Sequence, residues 1–212
     1  MEEGMTKEEL VDAIVKLEWN AFDKVENLGG RAGCEDDWNT FSVMRKSQYL
    51  AWPEDLLTSF FIDFTEANAR GWNLITEKYG RMMESTAPEE YEAIKEQFPE
   101  CSEKKRAIVN QIVEIQVGWM EDFAKEYPYM AGNARSIHAD EDTPYNTSYE
   151  TYLKGELLTY SDRTLGMYGQ WIVALNQENN NLAKIIMTNT ALLYGYTSLE
   201  AAEEALKKSE SN

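Results

Sequence analysis

The side chains that could do chemistry in this chain fall in three places. The first is the run Asn27-Leu28-Gly29-Gly30-Arg31-Ala32-Gly33-Cys34-Glu35-Asp36-Asp37-Trp38. Glycines after one helix and acids before the next serve helix capping, and Asp36 or Asp37 is a natural N-cap. Capping needs neither an arginine nor a thiol. Arg31 beside the free N–H groups of a helix start could hold an anion. Cys34 is either a small buried residue or a nucleophile whose pKa is lowered by the helix start. The phosphate-loop order, glycines followed by Gly-Lys, is absent.

The second place is a pair of carboxylates on apolar stripes. Glu18 is in line with Val11, Val15, Phe22 and Val25, and Glu156 with Tyr149, Tyr152, Leu153 and Tyr160. A glutamate on such a stripe is rarely buried unless it is paired or hydrogen-bonded. Either each one lies at the stripe's edge or meets a tyrosine or arginine, or both face a polar cavity. In a cavity, one would serve as general base or metal ligand. Glu18, Asp36, Asp37 and Glu156 would suit magnesium, but no spacing specifies it. The single histidine excludes the paired Glu-x-x-His motifs of a di-iron bundle. No metal site is therefore assigned, and no cofactor is specified.

The third place runs from Asn133 through Arg135, His138, Asp140, Asp142 and Thr143 to Thr147-Ser148-Tyr149-Glu150. His138 is either a solvated surface imidazole or the one base available to Cys34. Arg135 and His138, three residues apart, resemble the Arg–His pair of nuclease helical domains. That pair has a longer spacing, and the charge of this chain opposes RNA.

The elements that must position these groups are helices. In 212 residues there are only 5 prolines and 12 glycines. The positions Leu10, Val11, Ile14, Leu17, Ala21, Phe22, Val25 and Leu28 follow 3- and 4-residue steps after a Thr6–Glu9 capping box. A shorter helix spans about 38–50. One long central helix runs from Pro53 to about Ser85, with Leu57, Phe60, Phe64, Ala67, Gly71, Leu74 and Met82 buried and Glu66, Arg70, Glu77 and Arg81 on its polar face. Ser102 caps a helix that closes at Tyr127-Pro128. A long loop covers about 128–146, a length often associated with function. Thr147–Glu150 and Thr197–Glu200 read as two more capping boxes. The pattern predicts one all-α domain over 1–212, an irregular multi-helix bundle with an ordered core of about 6–206.

The 38 acidic and 20 basic residues leave a net charge of −18, which repels phosphate backbones and anionic membranes. Nucleic-acid and membrane partners are therefore not expected. The N-terminus MEEGMTKEEL lacks a signal peptide's apolar region, and two distant cysteines, Cys34 and Cys101, make no disulfide framework. A cytoplasmic location follows as the expectation.

The motifs add up to a resemblance. The run from Asn27 to Phe41, Met44-Arg45-x-Ser47-Gln48, Thr147-Ser148-x-Glu150-Thr151-Tyr152-Leu153-x-Gly155-Glu156-Leu157 and Gly195-Tyr196-x-Ser198-Leu199-Glu200 resemble an uncharacterised bacterial family, domain of unknown function number 4125. The likeness extends from about Glu18 to Glu203. It implies that Arg31, Cys34, Asp36, Asp37, Arg45, Glu150 and Glu156 belong to the family pattern, and it assigns them no roles.

Three readings are open. The first is a helical protein that binds a small anionic or nucleotide-like ligand in a polar pocket, through Arg31, Arg45, Arg135, Asp36, Asp37, Glu150 and Glu18. The second is a magnesium- or thiol-dependent hydrolase using the same cluster, with Cys34, Glu156 or His138 catalytic. The third is an acidic interaction module with a protein partner.

Overall fold

The 3- and 4-residue apolar spacing becomes helix along the chain. The computed structural model describes residues 5–25 and 37–210. Within them lie α1 (Lys7–Phe22), α2 (Trp38–Ala51), α3 (Glu54–Ala69), α4 (Leu74–Thr86), α5 (Pro88–Ile94), α6 (Glu103–Glu126), α7 (Pro128–Gly132), α8 (Tyr149–Thr159), α9 (Asp162–Gln177), α10 (Leu182–Leu193) and α11 (Leu199–Glu210). No strand occurs among the described residues, so the fold is all-α.

The expected long helix over 53–85 is two helices. Gly71 takes a left-handed φ of 73°, and Trp72 N–H donates back to the Ala67 carbonyl. That glycine closes α3, and Asn73 caps α4 through its side-chain oxygen. The longest helix among the described residues is instead α6, with 24 residues. Glu77 and Arg81, expected on a polar face, are buried as an ion pair.

The segment 128–146 is not featureless either. It holds α7, a 3-10 turn at Ala139–Glu141 and an isolated bridge between Thr143 and Asn146. Asp142 pins it by accepting from Ser85, Thr151 and the Ser148 N–H. At the other two expected capping boxes the cap falls one residue later and is a single serine. Ser148, not Thr147, caps α8, and Ser198 Oγ takes the Ala201 N–H at the start of α11. The Thr6–Glu9 box forms as expected.

The core is built from rings. Trp52, fully buried, lies 5.0 Å from Tyr49, 5.7 Å from Phe60 and 5.3 Å from Tyr168 by ring centroids. Each such pair adds roughly 0.5–1.5 kcal/mol beyond its burial. Against this core α2 packs on α1 and α10, and α4 packs on α8. The α4–α8 approach depends on Gly155, where a Cβ would meet Met82 Cγ at 2.7 Å and the Lys78 carbonyl at 3.0 Å.

Candidate functional site

Four helices each send one charged side chain to a common point. Glu18 on α1, Arg45 on α2, Lys78 on α4 and Glu156 on α8 are 1%, 6%, 3% and 4% exposed. Arg45 donates to Glu18 through Nη2 at 2.7 Å and Nε at 2.8 Å. It reaches Glu156 at 3.1 and 3.2 Å. Lys78 Nζ donates to Glu156 at 2.6 Å, and Gln48 Nε2 and the Tyr160 hydroxyl complete that carboxylate's partners. The Tyr49 hydroxyl donates to Glu18 at 2.7 Å. Two acids and two cations balance, which is what makes such deep burial tolerable.

Burial alone pushes the Glu156 carboxyl up. The Arg45 and Lys78 charges beside it overcome that and hold it well below the usual carboxylate range. Burial lowers the Arg45 pKa, but Glu156 and Glu18 reverse it and hold the guanidinium above its ordinary value. Burial first, and Glu156 second, push the Tyr160 hydroxyl up. A carboxylate fixed in its charged form by five donors does not exchange protons near neutral pH. This cluster joins four helices and sets their positions.

The other sequence-derived residues lie elsewhere. Asp37 caps α2 by accepting from Thr40 N–H, and that bond lowers its pKa. Arg135 is exposed, donates to the Thr147 carbonyl and lies 4.7 Å from the Tyr152 ring centroid, a ring that Lys78 Nζ approaches to 3.5 Å. Glu150 accepts from Ala139 N–H and so fixes the 3-10 turn. His138 Nε2 lies 3.2 Å from Glu121 Oε1, with both side chains over 40% exposed. Arg31, Cys34 and Asp36 lie outside the described residues. The structure thus brings together Glu18, Arg45 and Glu156, and places Asp37, Arg135, His138 and Glu150 apart from them.

Sequence reasoning missed Lys78. It occupies the i+4 position between Leu74 and Met82, so a lysine on an apolar stripe was its signal.

A surface cleft of about 310 Å³ opens between the last turn of α1 and the α3–α4 turn. Asn20, Lys24, Asn68, Gly71, Trp72 and Asn73 line it. Its base is held firmly. Asn73 Nδ2 donates to the Ala21 carbonyl while its oxygen caps α4, so α1 and α4 are tied at the cleft. Trp72 Nε1 donates to Glu77 Oε2 at 2.6 Å, and Glu77 pairs with Arg81, which donates on to the Pro99 carbonyl. Gly80 leaves room for the Phe98 ring under that arginine. The indole is therefore oriented by a buried ion pair.

Among the described residues, no group of three His, Cys, Asp or Glu side chains is placed to hold a metal ion, and no helix is long and apolar enough to cross a membrane. No curated protein matches the chain, and no solved structure does. A family model described as a protein of unknown function, DUF4125, matches residues 8–204. That match covers most of the 212 residues, and the chain belongs to this family.

Proposed function

We propose that this protein binds a small anionic, nucleotide-like ligand in the cleft between α1 and the α3–α4 turn. One observation carries the reading. In a chain of net charge −18, the one charged side chain among the described residues that line the cleft is the cation Lys24. The remaining lining suits the same ligand. The Trp72 indole offers a stacking surface for a base, and Asn20 and Asn68 offer amide donors and acceptors. At about 310 Å³ the cleft is at the small end of ligand sites. The buried Glu18–Arg45–Glu156–Lys78 cluster ties α1 to α4, and Asn73, which lines the cleft, caps that same α4. Arg31, Cys34 and Asp36 take no part in this reading.

Thermal melts against a panel of nucleoside monophosphates and inorganic phosphate test it. At least one phosphorylated compound raises the melting temperature, and Lys24→Glu removes the effect. A panel with no stabiliser, or a stabiliser that acts equally on Lys24→Glu, ends the proposal.

A second reading, a protein-binding module, is favoured by the end of α10 and the turn that follows it. Leu192, Leu193, Tyr194 and Tyr196 are 51%, 40%, 45% and 37% exposed in nearly consecutive positions. Contiguous apolar exposure of that kind marks contact surfaces. A basic partner suits the charge of the chain. Leu192→Asp together with Tyr196→Asp should abolish binding of such a partner while leaving the nucleotide melts unchanged. Retained binding removes the reading.

A further inference from the structure

A second cleft, of about 430 Å³, lies between α6 and the turn joining α9 to α10. Its chemistry is opposite to that of the first. Among the described residues, the charged side chains that line it are Glu114 and Asp122, and no cation lines it. They stand on α6 at i and i+8, so their Cα atoms are separated by about 12 Å along one helix face. Gly118 sits midway between them, at i+4 from each.

That glycine has no packing reason among the described residues. A Cβ built on it meets nothing within 4 Å, so alanine would fit and would favour the helix. What glycine provides is an open floor between the two carboxylates. Trp119 flanks that floor, half-buried, with its carbonyl taken by Asn181 Nδ2 at 2.8 Å. The opposite wall presents Asn176 and Asn179. Asn179 holds a left-handed φ of 58°, a backbone strain that asparagine tolerates better than most residues. Asp122 accepts from Lys125 Nζ at 2.9 Å, but both side chains are about 70% exposed, and such surface pairs are readily exchanged.

From this arrangement we infer a binding site for a linear organic polycation. Its ammonium groups meet Glu114 and Asp122, its methylene chain lies over Gly118 beside the Trp119 ring, and Asn176 and Asn179 accept from its N–H groups. An aromatic face next to carboxylates is the usual recognition of alkylammonium groups. The field of the strongly acidic chain concentrates such a ligand near the surface. This inference uses a different cleft, and it stands or falls apart from the nucleotide reading.

The test is an indole N–H spectrum of the full chain titrated with spermidine, with the Trp119 signal identified by Trp119→Phe. The Trp119 signal moves saturably, and sodium chloride at matched ionic strength does not move it. Gly118→Leu fills the floor and abolishes the shift, while the other five of the six indole signals report that the fold is kept. The conservative double variant Glu114→Gln/Asp122→Asn weakens binding roughly tenfold, as the loss of two exposed charge pairs implies. A Trp119 signal that stays put, a shift that sodium chloride reproduces, or either variant titrating like the wild type overturns the inference.

Discussion

Replacing Arg45 with methionine keeps the apolar stem of the side chain and removes the cation that both buried carboxylates share. Glu18 is left with the Tyr49 hydroxyl, and Glu156 with Lys78, Gln48 and Tyr160. Breaking a buried ion pair by removing one partner costs about 3–5 kcal/mol, because the remaining charge stays buried without compensation. For a chain of this size about 2–4 °C of melting temperature goes with each kcal/mol, so the melt falls by about 6–20 °C. The loss has a sign in pH. In the wild type the folded Glu156 pKa is depressed, so its stabilisation is present above its ordinary value of 4.5 and is lost as pH falls below it. Without Arg45, burial, the largest influence on this carboxyl, outweighs Lys78 and carries the folded pKa above its ordinary value. The variant then loses stability as pH rises through that value. Urea unfolding at pH 5 and pH 7 therefore shows a larger wild-type advantage at pH 7. A loss under about 1 kcal/mol that is the same at both pH values would mean water reaches the cluster, and the reasoning would fail.

Gly155→Val places side-chain atoms against Met82 and the Lys78 carbonyl, and it should destabilise by about 1–3 kcal/mol in denaturant melts. Ser148→Ala should cost about 1 kcal/mol while Thr147→Ala costs much less, since Ser148 holds the cap of α8; equal losses would contradict that assignment. Gly71→Ala should cost about 1 kcal/mol through its left-handed backbone and should weaken ligand stabilisation at the cleft it lines, both read from melts with and without ligand.

The helices were legible because 3.6-residue periodicity is a local property, and so were Glu18 and Glu156 as glutamates on apolar stripes. Their partners were not, because pairings such as Glu18 with Arg45, 27 residues on, and Glu156 with Arg45, 111 residues back, leave no local trace. Lys78 was overlooked because a lysine between Leu74 and Met82 breaks the very stripe that defines the helix. The break at Gly71 was hidden for a related reason. Gly71 continues the apolar spacing from Ala67 to Leu74, and only its backbone angle shows that it ends a helix. At both Thr-Ser pairs the two hydroxyls are equivalent in sequence, and tertiary packing chose the serine, which at position 148 is fully buried. The α1–α4 cleft arises from the α3–α4 break, so a continuous helix over 53–85 conceals it.

The most direct test of the proposed function follows the Trp72 indole N–H signal of the full chain during titration with nucleoside monophosphates, beside inorganic phosphate. A saturable shift of that signal by a nucleotide, lost in Lys24→Glu and kept in Arg135→Ala, is the predicted result. A Trp72 signal unmoved by every compound, or moved equally in Lys24→Glu, contradicts it.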